Sequence, residues 1–209
     1  MTVSHLRYAG LPFDQQRSAL AAILRADPIL WDALEGARDF ALPDWLIVSG
    51  AIYNTAWNAL TGRACGYGLK DIDLFYCDTA DLSWEAEDRL IRAGQDRFSG
   101  MAVPVEIRNQ ARVHLWFPDR FGIACPRYSS SAQSLSYFAS KTHAVGIRLD
   151  QNDRLEVVAP FGLDFLFSFR LVGNPVLDNR ATHQAKGARA VRLWPEVVLE
   201  AWPEQTEAG

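Results

Sequence analysis

Residues 46–76 read LIVSGAIYNTAWNALTGRACGYGLKDIDLFY, and the punctuation of this stretch decides the fold. The apolar run Trp45 to Val48 predicts a short strand that stops at the turn Ser49-Gly50. Ala51 to Leu60 suits a helix closed by Gly62. From Arg63 to Lys70 the small residues Ala64, Gly66 and Gly68 force a loop. Asp71 to Cys77, with its Ile, Leu, Phe and Tyr, returns as a second strand.

Outward from this stretch the pattern alternates between helix and strand. Phe13 to Arg38 reads as two helices, the second entered by Asp27 as N-cap and Pro28 at its first position. Ser83 caps a further helix that carries Glu85 and Glu87 in its first turn and stops at Gly94. Val103 to Ile107 is a third strand, with Pro104 near its start. Arg112 to Phe117 reads equally as a short helix or an extended arm. Ser129 to Ser136 is a loop entering a short helix. Val145, Ile147 and Leu149 alternate, Gln151-Asn152-Asp153 turns, and Leu155, Val157 and Val158 return as a hairpin. Phe161, Phe165, Leu166 and Phe169 share a helical face, and Asp178 onward is helical to Pro195, followed by a polar tail. No repeat or linker divides the chain. The expectation is one domain over 1–209, with helices at 13–38, a core at 45–110 and a hairpin-helix extension over 111–209. Its class is α+β, a mixed twisted sheet with helices packed on one face.

The chemistry-bearing residues cluster on the two later strands. Asp71 and Asp73 are two apart, so both carboxylates share one face while Ile72, Leu74 and Tyr76 turn to the other. If the third strand lies alongside, Glu106 completes a triad of carboxylates. Side by side, such groups repel and hold each other's protons unless a cation intervenes. Magnesium or manganese, which prefer oxygen ligands, are the natural partners. An isolated Asp-x-Asp is common and most often a turn cap beside a solvated acid. The residues around this one shift that balance. As an extended arm, the segment after Glu106 sends Arg108, Gln110, Arg112 and His114 to the carboxylate side, where they could hold an acceptor or a base. Gly66-Tyr67-Gly68 lacks the Lys-Ser/Thr of a P-loop.

Composition narrows the partners. Hydrophobic residues at 49% and charged residues at 22% support a packed soluble domain rather than disorder. A formal net charge of −4 argues against a large nucleic acid as partner. Cys65, Cys77 and Cys125 have no metal-ligand spacing and read as reduced thiols of a cytoplasmic protein. MTVSHLRYAGLPF carries no apolar signal region, and no run is long enough to cross a bilayer, so no membrane partner is expected.

Taken together, Val48-Ser49-Gly50-Ala51-Ile52, Thr61-Gly62-Arg63 and Lys70-Asp71-Ile72-Asp73-Leu74 resemble motifs of the DNA-polymerase-beta-like nucleotidyltransferase superfamily. The segments from Val105 to Trp116 and from Ala159 to Leu163 look typical of its small stand-alone bacterial members. Ser49 stands where the usual first glycine would be, and Tyr53-Asn54 replaces the Arg-Asp of the tRNA-tail-adding heads. The arginine-rich element and helical RNA-binding body of those enzymes are missing too.

The resemblance implies metal-dependent transfer of a nucleoside monophosphate from an NTP to a hydroxyl of a small molecule or protein. Asp71, Asp73 and Glu106 would be the catalytic and metal-binding residues of a two-metal site, using Mg2+ or Mn2+. Ser49, Gly50, Arg63 and Lys70 would hold phosphates, the turn through N–H groups at a helix N-terminus. Two other readings stand beside this one: a non-catalytic nucleotide-binding or regulatory module, and a toxin-like protein that modifies a partner.

Overall fold

The computed structural model describes residues 4–203; Met1–Val3 and the expected polar tail from Glu204 lie outside the described residues. A five-stranded mixed sheet organises the chain, in the order β3-β2-β1-β4-β5. Its strands are β1 (Leu46–Val48), β2 (Ile72–Tyr76), β3 (Val105–Asn109), β4 (Gly146–Leu149) and β5 (Leu155–Val158). β1 runs antiparallel to both β2 and β4, and β2 runs parallel to β3. The hairpin β4–β5 lies in the stretch 111–209 read as the hairpin-helix extension of the single domain. It completes the sheet on the other side of β1, where Ile47 pairs with Ile147 and Val48 with Gly146.

One face of the sheet is covered by α1 (Phe13–Arg25), α2 (Pro28–Phe40), α3 (Gly50–Thr61) and α4 (Trp84–Arg97). Asp27 caps α2 as its sequence predicts, its Oδ1 accepting from the Leu30 N–H at 3.1 Å. Ser83 caps α4 in the same way through Ala86. Under these helices Ile47, Ile72, Leu74, Ile107 and Ile147 pack with Leu24, Leu34, Ile52 and Trp57 in one continuous core. The period-2 alternation of β2 is therefore real: Ile72, Leu74 and Tyr76 are buried, and Asp73 and Phe75 face the opposite side.

That opposite side is only partly roofed. α5 (Val113–Phe121), α6 (Ser131–Leu135) and α8 (Arg180–Leu193) border it, and a small cluster of Leu46, Val48, Leu135 and Ala144 seals its middle. α8 is pinned by Trp194 at its end, which is fully buried and donates to the Asn58 side chain at 3.0 Å. Near its start His183 meets the Ser140 hydroxyl at 2.7 Å. A two-stranded parallel ribbon, β6 (Arg170–Leu171) with β7 (Val198–Leu199), lies behind it.

Two local expectations fail for clear reasons. Gly94 does not stop α4, which continues to Arg97. A side chain at Gly94 would meet Ile107 at 2.0 Å, so the glycine serves close packing of helix on strand. The Phe-rich face is a single helical turn, α7 (Asp164–Phe167), and Phe169 lies beyond it with φ +55°. None of the three cysteines forms a disulfide, and no helix among the described residues is long and apolar enough to cross a membrane.

Candidate active site

The parallel pairing of β2 and β3 sets Asp73 directly opposite Glu106, with Asp71 just ahead of the strand. The three carboxylates thus lie close together on the partly roofed side of the sheet. Burial raises the Asp73 carboxyl to about 6; Lys186 and Arg108 pull it down, while Asp71 and Glu106 push it up. Glu106 is half exposed and stands 3.6 Å from Arg108.

Ser49 links β1 to α3 with φ +55° and ψ −108°, a conformation that only glycine adopts without strain. Its N–H donates to the Val145 carbonyl at 2.9 Å, and its carbonyl accepts from Ile52 and Tyr53, so the turn is held by its backbone. The serine side chain makes no cap bond. Among the described residues nothing accepts from the Gly50 and Ala51 N–H groups at the start of α3. Free N–H groups and the dipole at a helix start favour negative charge there.

Two chambers meet here. The first, of about 320 Å³, is bordered by Ser49, Gly50, Asn54, Lys70, Asp71 and Asp73, with Lys186 and Arg189 of α8 across from them. Asn54 is buried and its Oδ1 has no protein partner. Tyr53 lines the same space; burial, reinforced by Asp73 and Asp71 and opposed by Arg189, lifts its hydroxyl to about 12. The second chamber, of about 380 Å³, is walled by aromatic rings and holds Glu106, Arg108 and Gln110. Ser49, Asp73 and Lys186 border both chambers, Asp71 only the first and Glu106 only the second.

Of the residues singled out in the sequence, Ser49, Gly50, Lys70, Asp71 and Asp73 converge on the first chamber, and Glu106, Arg108 and Gln110 on the second. Arg63 does neither. Its guanidinium forks onto Glu196 at 3.1 and 3.2 Å, beside the ring of Tyr67. Arg112 and His114 also leave the carboxylate side, because the backbone coils after Asn109 instead of continuing as an arm. The Asn109 Oδ1 accepts from the Ala111 N–H at 3.1 Å and starts a helical turn that runs into α5. Arg112 is consequently buried in an ion pair with Glu87 and donates to the Leu82 carbonyl at 2.9 Å. The His114 Nε2 accepts from the Arg127 Nε–H at 3.2 Å.

Lys186 and Arg189 are the residues that sequence reasoning missed. With Thr182 they occupy positions i, i+4 and i+7 of α8, one face of the helix. That face is turned to the cleft, and Arg189 also donates to the Gly68 carbonyl, tying α8 to the loop before Asp71. The basic spacing was visible in an otherwise polar segment, but nothing local said where α8 docks.

The donor set suits a hard divalent cation: Asp71, Asp73 and Glu106 offer only oxygen, and burial penalises the charge on Asp73. Among the described residues no three acidic, histidine or cysteine side chains are close enough to enclose an ion unaided. Magnesium ordinarily takes one or two carboxylates and completes its shell with water and substrate phosphates, and the open chamber leaves room for both.

A family model described as nucleotidyltransferase matches residues 35–199. A solved NMR structure, described as revealing a CCA-adding enzyme head domain, is similar with a TM-score of 0.74 at 23% identity. The match covers 88% of this chain and 95% of that one, and at that identity it shows the shared fold. A comparison with curated proteins returned no match. The five-stranded mixed sheet, the strand-turn-helix at Ser49 and the match over residues 35–199 agree: the chain belongs to the nucleotidyltransferase family.

Proposed function

We propose that the protein transfers a nucleoside monophosphate from an NTP to a hydroxyl of a small molecule or protein, with Mg2+ or Mn2+ as cofactor. The observation that carries this reading is the division of the carboxylates between two chambers, with Asp73 common to both. The triphosphate lies in the first chamber, its β- and γ-phosphates on the N–H groups that open α3. Lys70, Lys186 and Arg189 neutralise its charge. Asp71 and Asp73 would hold the metal ions, and Glu106 would bind or orient the one that activates the acceptor. Bound there, the metal supplies charge neutralisation on the phosphates and a lower pKa for the attacking hydroxyl. The missing Arg-Asp pair on α3 favours a binding-only module, yet Lys186 and Arg189 restore cationic charge to the same chamber. That restoration supports turnover.

Calorimetry with each NTP and magnesium tests the reading. The double variant Asp71→Ala/Asp73→Ala should lose metal-dependent nucleotide binding while keeping its circular dichroism. Unchanged binding would sink it. Incubation with labelled NTP and manganese then separates transferase from module, because only the transferase releases pyrophosphate.

A further inference from the structure

The aromatic chamber is left unassigned by the reading above, and its position beside the cationic chamber points to a role. Transfer at phosphorus places the attacking and leaving oxygens roughly in line. With the departing pyrophosphate in the cationic chamber, the attacking oxygen approaches from the opposite side of Asp73. That side is the aromatic chamber, where Glu106 stands and Asp71 does not. We propose that this chamber is the acceptor site and that the acceptor is a small, planar aromatic compound. It bears a hydroxyl and a neutral or anionic charge. The inference rests on the nucleotidyl-transfer reading above.

The walls define the class. Phe75, Trp116, Phe117, Tyr128, Tyr137 and Phe138 supply rings from β2, α5 and the segment around α6. Trp116 and Phe117 are half-buried, as are Phe75 and Phe138, whose centroids lie 5.9 Å apart edge to face. Such a lining rewards a flat, polarisable ligand over a sugar. About 380 Å³ suits a small molecule and excludes a folded partner. The cationic residues Arg108, Arg120 and Lys186 border the space, and its acids are Glu106 and Asp73, which would hold the metal on the reading above. A polycationic acceptor therefore meets net repulsion.

Polar groups at the floor provide orientation. His143 is buried at 2% exposure, stacks on Tyr53 at 4.4 Å, lines the chamber and leaves Nε2 without a protein partner. Gln110, also buried, lies beside Arg108 at the same wall. In the reaction the acceptor oxygen bonds to the α-phosphorus and the α–β bridging bond breaks. Pyrophosphate leaves with the electron pair, and the hydroxyl proton passes to water.

The test titrates the full chain with 2-naphthol-6-sulfonate, a fluorescent planar anion that bears a hydroxyl. Titrations are run alone, with magnesium tripolyphosphate, and with the α,β-methylene analogue of each common NTP. The expected result is binding that survives both tripolyphosphate and the NTP analogues and weakens roughly tenfold in Trp116→Ala and in Phe117→Ala. An aminomethyl naphthol of the same size should bind at least about tenfold more weakly. Both variants sit on a half-exposed helix, and circular dichroism verifies their folding. Displacement by an NTP analogue but not by tripolyphosphate assigns the chamber to the nucleobase and overturns the proposal. Absence of naphthol binding, or binding indifferent to both variants, overturns it as well. Failure of tripolyphosphate to bind strikes the phosphate assignment instead, whatever the naphthol does.

Discussion

The two chambers that meet at Asp73 are built in different ways. The cationic chamber draws most of its wall from one continuous stretch, Ser49 to Asp73, and borrows only Lys186 and Arg189 from α8. The aromatic chamber gathers its rings from β2, α5, the segment around α6 and the region before β4. On the proposed assignment, phosphate handling would be encoded mostly locally, by strand, turn and helix, with Lys186 and Arg189 added from α8. Acceptor handling, on the same assignment, would depend on how distant segments pack, so it could change while the transfer chemistry stays.

Perturbations sharpen this contrast. The largest loss is expected at the residue common to both chambers: Asp73→Ala should reduce turnover by about a thousandfold or more. If Asp73→Ala retains more than a tenth of the wild-type rate, the chambers do not share a reaction centre. Next is Arg112→Ala. It strands the buried Glu87 carboxylate and should cost about 3–5 kcal/mol of stability in urea unfolding. A folded Arg112→Ala variant of normal stability with poor activity would return Arg112 to the site. Lys186→Ala and Arg189→Ala should each raise the NTP KM about tenfold. In Arg63→Ala the KM should stay within about twofold, since its partner is Glu196.

The smallest effect is on stability and depends on pH. The Asp73 carboxyl is raised from 3.8 to about 6 in the folded protein, so folding favours its protonated form. The stabilisation is complete below the unfolded value and is lost as pH rises through about 6. In EDTA, Asp73→Asn should therefore unfold a few degrees higher than wild type at pH 8, equivalent to about 1 kcal/mol, and at nearly the same temperature as wild type at pH 4. Metal binding runs the other way, since the ligand must be deprotonated, and should strengthen as pH rises through the same range.

Much of this was legible in the sequence because strand alternation is strictly periodic. Asp71, Asp73 and the buried Ile72 and Leu74 declare their faces without help from the rest of the chain. Glu106 needed one added fact, the pairing of β2 with β3. The misreading of Arg112 and His114 has a local cause, because Asn109 ends the strand with its own side chain. Asparagine is a familiar signal for such a turn. Arg63 was misplaced for a different reason: Glu196 is remote in sequence, and no local pattern announces it. The docking of α8 was equally hidden, since it rests on Trp194 reaching Asn58 through the core.

The hydrogen bond from the Ser49 N–H to the Val145 carbonyl has a consequence for how the protein is made. β1, the strand that feeds this turn, has β2 on one side and needs β4 on the other. A chain that has emerged only as far as Asn109 carries the carboxylates, yet it presents β1 as an open edge that invites pairing with other chains. The Ser49-Gly50 turn is synthesised early and lacks this bond until Val145 has joined it. A ribosome-bound fragment therefore has the acids of an enzyme before it has anywhere to hold a substrate.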